Sequence, residues 1–159
     1  MKVFAEKILP YTVDPNILLR PDETKSIKKN EAGSVLYFHQ VVEHQQQELP
    51  VFGYDSQVYV NKDDSITSAS FNTVPADKLK INGTFGALTE QEVAAKTAST
   101  LQIDPSRVNV CRKGVGLVGK DPEKARVGYE LCVSAGEGRT PIKVFVDGET
   151  ERILYVRSE

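Results

Sequence analysis

The sequence lacks the features that announce most biochemical activities. Lys and Arg (20) nearly balance Asp and Glu (22) over 159 residues, leaving a formal charge of −2, and the basic residues are spread along the whole chain. With no basic stripe to follow a phosphate backbone, nucleic acid is not expected as a partner. Long apolar runs are missing as well. Segments such as Gly114 to Gly119 and Ile142 to Val146 fall far short of the roughly 20 residues that cross a bilayer, so no membrane insertion is expected. Residues 1–33 contain no apolar core of a signal peptide; a secreted protein lacking its leader would begin in the same way, so the compartment has to be read elsewhere.

Catalytic groups are equally sparse. His39 and His44 are the only histidines; five apart along an extended strand, they point to opposite faces and do not jointly grip a metal. No His-Glu-x-x-His or Gly-x-Ser-x-Gly run occurs, so zinc-peptidase and serine-hydrolase machinery is absent from the sequence. The carboxylates are scattered through turns and a helix start, the distribution of a solvated surface. One motif invites a nucleotide: Gly114-Val115-Gly116-Leu117-Val118-Gly119-Lys120-Asp121. A phosphate loop needs Ser or Thr after the lysine, where Asp121 stands, and a helix must start at the glycines, where Pro122 and another strand follow. The segment reads as a glycine-softened hairpin. The chain is therefore expected to be no enzyme and to bind no cofactor of its own.

What the sequence does contain is strand. An apolar fraction of 40% suffices for a packed core. After a proline-punctuated lead-in over residues 1–33, Val35 to Val42 is rich in β-branched and aromatic residues. A polar stretch, Glu43 to Glu48, separates it from Leu49 to Val60, kinked near Gly53. Asn61-Lys62-Asp63-Asp64-Ser65 has turn composition, and Ile66 to Thr73 completes an antiparallel meander. Thr89 and Glu92 then form a capping box, with Val93, Ala94, Ala98 and Leu101 on one face of a helix that Asp104-Pro105 stops. Further strands follow at Arg107 to Lys113, Val127 to Val133, Ile142 to Val146 and Arg152 to Val156. The order argues for α+β, an antiparallel sheet with a helix on one face.

If Arg107 to Val118 and Ala125 to Ser134 form a hairpin, pairing positions that sum to 243 sets Cys111 opposite Cys132 and Lys113 opposite Glu130. The same register gathers Val108, Val110, Val127, Tyr129, Leu131 and Val133 on the other face. Cysteines on the polar face favour a cross-strand disulfide, and with it an oxidising compartment; two reduced thiols in a cytosolic protein is the alternative. Asn82-Gly83-Thr84 is an N-glycosylation sequon, meaningful only in a secreted eukaryotic protein.

Three blocks in order, Tyr37-Phe38-His39-Gln40, Leu49-Pro50-Val51-Phe52-Gly53-Tyr54-Asp55 and Val58-Tyr59-Val60-Asn61-Lys62-Asp63, resemble the propeptide domain of fungalysin- and thermolysin-like zinc metallopeptidases. The family pattern there is Phe-x-Gln, then Pro-Val-x-Gly, then Val-x-Val-Asx-Lys-Asp. The second half, with its helix from Leu88 to Leu101, Val127 to Val133, Ile142 to Asp147 and Ile153-Leu154, resembles the PepSY domain that follows in such precursors. It departs from the family at Glu43 to Glu48, a longer glycine-free link where the family turns tightly, and at Thr150-Glu151, where the family has Thr-Gly.

The resemblance implies residues 34–78 as the propeptide-like domain and 79–159 as the PepSY-like domain, two cystatin-like halves, each a curved antiparallel sheet with a helix packed on it. It also implies a role. Such a pro-region is secreted or periplasmic, assists folding of a thermolysin- or fungalysin-like peptidase domain and inhibits it, in cis or in trans, with zinc only in that partner. Pro50, Val51, Phe52 and Gly53, and the terminal Tyr155, Val156 and Arg157, are the expected contacts, because an extended terminal segment can lie in a cleft as an added strand. A free-standing exported inhibitor or binding module of the same folds is the alternative.

Overall fold

The computed structural model describes residues 17–22, 33–136 and 138–158; most of the lead-in lies outside them. Two compact units divide the chain between Leu79 and Lys80.

In the first unit, β1 (Leu18–Pro21), β2 (Ser34–His44), β3 (Gln47–Val60) and β4 (Ile66–Ser70) pair antiparallel in sequence order. Phe38, Val58 and Val60 pack together, with Leu19 and Leu36 against them. Gln40 is fully buried. It stands at a bulge in β2 between His39 and Val41, where its Nε2 donates to the Val74 carbonyl at 2.8 Å and its Oε1 accepts from the Val74 amide at 2.9 Å. This two-bond clasp satisfies a side chain that would otherwise be costly to bury, and it ties the segment leaving β4 to the sheet. The polar stretch Glu43 to Glu48 is not the long loop expected of it. β2 runs to His44 and β3 begins at Gln47, leaving a two-residue turn in which Gln45 and Gln46 both have positive φ, 51° and 65°. That is the backbone of a type I′ hairpin turn, whose twist matches the flanking strands.

The second unit begins with β5 (Ile81–Asn82), parallel to β7, followed by helix α1 (Glu90–Leu101), β6 (Val108–Leu117), β7 (Ala125–Val133), β8 (Ile142–Asp147) and β9 (Ile153–Ser158). Strands β6 to β9 are antiparallel neighbours in chain order. The capping box is present in both directions: the Glu92 amide donates to Thr89 Oγ1 and the Thr89 amide to the Glu92 carboxylate. The helix ends at Gln102 in the left-handed conformation (φ 57°), whose amide reaches the carbonyls of Ala98 and Ser99, so it closes before Asp104-Pro105. Val93, Ala94 and Ala98 bury against Val108, Tyr129, Leu131, Val133, Val144 and Val146, the odd-numbered face of β7.

The expected pair of cystatin-like halves, each with its own helix, is not the fold adopted. Strands predominate, and the described residues hold one α-helix, in the second unit. From residue 34 to 70 the chain is β-branched and interrupted by turns, with no stretch of helical period. After it comes only a three-residue 3₁₀ turn, Ala76–Lys78.

The β6–β7 register also differs from expectation. Val108, Asn109 and Val110 face Val133, Cys132 and Leu131, then a bulge inserts Cys111, and Arg112 and Lys113 face Glu130 and Tyr129. From the turn to Arg112 the hairpin pairs one residue out of the expected register, and beyond the bulge two residues out, so Glu130 opposes Arg112 and not Lys113.

Candidate functional site

The face of the second unit's sheet turned away from α1 carries its chemistry. Even positions of β7 point there: Arg126, Gly128, Glu130 and Cys132. Cys132 is joined to Cys111 in a disulfide, with the two Cα atoms 5.8 Å apart. The bulge places Cys111 within reach although Asn109 is its direct neighbour across the ladder.

Glu130 is the centre of this face. Its side chain is only 2% exposed, and a buried carboxylate demands compensation. Cations come from β6, β8 and β9. Arg112 of β6 donates through Nε to Oε1 at 3.0 Å, Lys143 of β8 stands 3.5 Å from the same oxygen, and Arg157 of β9 donates through Nη2 to Oε2 at 2.8 Å. One buried acid thereby ties four strands together.

Beside this cluster, Phe145 is fully buried, and a Cβ on Gly116 would meet its ring at 2.7 Å. The glycine of the apparent nucleotide motif is thus a seat for an aromatic ring. Tyr155 of β9 stacks on Phe145 with centroids 5.0 Å apart and planes inclined by 23°.

Toward the β8–β9 turn, buried Asp147 accepts from Arg126 Nε and from the amides of Glu149 and Thr150. Burial alone would push its pKa up, but these donors outweigh it and hold the carboxyl below its ordinary value. The same bond to Asp147 raises Arg126. On the helix side, burial raises Tyr129, helped by Glu90 and Glu151, and Lys113 lies over the ring of Phe85 at 5.1 Å.

The expected contact residues fare differently. Val51 and Phe52 are 1% and 3% exposed and belong to the interior. Pro50 is half-buried opposite Val41, and Gly53 takes φ +87°, its carbonyl accepting from Asn72 Nδ2 at 3.1 Å. Tyr155 and Arg157 turn to the Phe145 and Glu130 face, while Val156 points the other way and is 54% exposed. Asn82 is exposed in β5, its amide donating to the Lys80 carbonyl at 3.3 Å.

No protein-family model matches the sequence, and no curated protein does. A solved structure, the C-terminal domain of YpeB from Bacillus megaterium, is similar over 99% of this chain with a TM-score of 0.43 and 12% identity. The chain spans 62% of that structure's length.

Among the described residues, no three His, Cys, Asp or Glu side chains gather closely enough to hold a metal ion, and no helix is long and apolar enough to cross a membrane. A groove of about 350 Å³ lies between α1 and β6, lined by Glu90, Ala94, Ala95, Pro105 and Val108. The groups sequence reasoning overlooked are Arg112 and Lys143 beside Glu130; Arg157 was expected only as a partner contact. Their signal was the even-numbered polar face of β7, which needed charged partners from β6, β8 and β9.

Proposed function

We propose that this chain is the pro-region of a secreted zinc metallopeptidase, without catalysis of its own, which assists folding of the peptidase domain and holds it inactive. The observation that carries the reading is strand β9: it is the outermost strand of the second unit's sheet, pairs only with β8 among the described residues, and exposes Val156. An edge strand of this kind offers main-chain hydrogen bonds and one apolar side chain to a cleft that binds extended chains. The Cys111–Cys132 disulfide supports export to an oxidising compartment. Of the proposed contacts, Val51 and Phe52 are buried and Pro50 and Gly53 half-buried, so the reading rests on the terminal strand with its exposed Val156.

The test is to read the source gene beyond the codon for Glu159 and then to add the purified chain to the peptidase. An in-frame His-Glu-x-x-His domain is expected, whose activity the chain suppresses and whose refolding yield it raises. A stop codon together with inhibition of exported zinc peptidases would move the assignment to a free-standing inhibitor. Neither inhibition nor assisted refolding would reject both.

A further inference from the structure

Strand β9 differs from the strands beside it. β6, β7 and β8 each bury residues fully; none of the six residues of β9 is fully buried. It follows a register break at its start, where Val146 faces Ile153 and the next pair is Phe145 with Tyr155, so Leu154 is extra. Ile153 packs on the margin of the hydrophobic core, and two further side chains reach well-defined receptors. Tyr155 stacks on the buried ring of Phe145, and Arg157 donates to the buried carboxylate of Glu130. The fit of Arg157 is incomplete, because its Nε is buried without a hydrogen-bond partner among the described residues. The receptors belong to β7 and β8, whose buried residues Tyr129, Leu131, Val144 and Val146 sit in the hydrophobic core, and β7 is also joined to β6 by the disulfide.

We propose that the edge of β8, the ring of Phe145 and the carboxylate of Glu130 form an acceptor groove for an extended peptide segment of pattern aromatic-x-arginine, which the chain's own Tyr155-Val156-Arg157 fills and can vacate. Edge strands with little buried apolar area open at lower free energy than the sheet they border. Once β9 leaves, β8 presents an unpaired row of amides and carbonyls, the template for strand addition. Selectivity comes from Glu130: a buried carboxylate that has lost one of its cations favours an incoming arginine and rejects an acid. This inference concerns the chain by itself and stands apart from the pro-region reading.

Two measurements on the full oxidised chain test it. In native-state hydrogen exchange, the β9 amides should exchange through a local opening with low denaturant dependence, well before those of β7. Next, a fluorescent peptide copying residues 152–158 is titrated into the full chain carrying Arg157→Glu, whose own strand no longer satisfies Glu130. The copy should bind saturably, about tenfold or more tighter than the same peptide carrying Arg157→Glu, and more tightly than it binds the unaltered chain, where the resident strand competes at high effective concentration. Placing the discriminating change in the peptide keeps the result readable even where a Glu130→Gln chain fails to fold. Exchange of β9 only with β7 through global unfolding would overturn the proposal, as would equal binding of the two peptides or none of either. A peptide-free dimer that dissociates when peptide is added would assign the groove to a second copy of the chain and overturn the peptide reading.

Discussion

Gln45 and Gln46 occupy a position that side chains resist. Both have left-handed backbone, φ 51° and 65°, where a non-glycine residue pays on the order of 1 kcal/mol in contact between Cβ and carbonyl. The hairpin forms regardless because β2 and β3 pair along ten positions, and their hydrophobic faces dictate where the chain reverses. Composition gave no hint of the turn: Asn-Gly announces a type I′ turn because those residues tolerate φ > 0, and a pair of glutamines does not. Replacing the pair by Asn-Gly is expected to stabilise the first unit by roughly 0.5–1 kcal/mol, read as a higher urea midpoint at unchanged slope. Gln46→Ala should leave it nearly unchanged. A loss of stability with Asn-Gly would mean that the glutamine side chains hold the turn by contacts of their own. Gln40 shows the opposite case, a residue visible in the Phe38-His39-Gln40 pattern whose reason appears only in the fold, as the clasp on Val74.

Among the elements, the helix was the most legible, since a capping box and a 3.6-residue period are local signals and need no knowledge of the partner sheet. Strands were legible as segments and less so in register. Alternation sorted Val127, Tyr129, Leu131 and Val133 onto the core face, but the hairpin pairs one residue out of the expected register from its turn to Arg112 and two residues out beyond the bulge at Cys111, and nothing in the sequence marks a bulge that lacks a glycine. Glu130 therefore acquired Arg112 in place of Lys113, and the contributions of Lys143 and Arg157 depended on two further registers.

The β8–β9 turn yields a prediction at this scale. Asp147 is held below its ordinary pKa by Arg126 and two amides. A carboxyl whose folded pKa lies below the unfolded value of about 3.9 lends stability that is complete above that value and is lost as pH falls through the folded pKa. Asp147→Asn should therefore cost roughly 1–3 kcal/mol at pH 7, where it leaves Arg126 facing an amide, and progressively less below pH ~4. Urea midpoints of both proteins at pH 7, 4 and 2.5 measure the gap; a gap that stays constant across that range would show that shape and not charge accounts for the turn.

At the level of the whole molecule, what remained hidden was the uneven sharing of helix between the halves. Both halves read as sheet-rich, and the resemblance supplied a helix to each; among the described residues the one α-helix, α1, packs in the second unit's core. That unit contains its own hydrophobic cluster, from Val93 to Val146, its own charged centre at Glu130 and a disulfide whose cysteines are 21 residues apart. A domain of this size has a marginal surplus of burial over chain entropy, which makes the cross-link a large part of the balance. In the chain-entropy model a loop of this length contributes about 3 kcal/mol. Residues 80–159 expressed alone and oxidised are expected to unfold in a single cooperative transition, with near-ultraviolet circular dichroism from packed Tyr129 and Phe145. Reduction, or Cys111→Ala with Cys132→Ala, should lower stability by about that amount and leave the fragment partly unfolded at 37 °C. A fragment with no cooperative transition even when oxidised would show that the second unit's core is insufficient alone. An oxidised fragment no more stable than the reduced one would show that the β6–β7 hairpin is already fixed by Glu130 and its cations, and that the disulfide guards something other than the folding equilibrium.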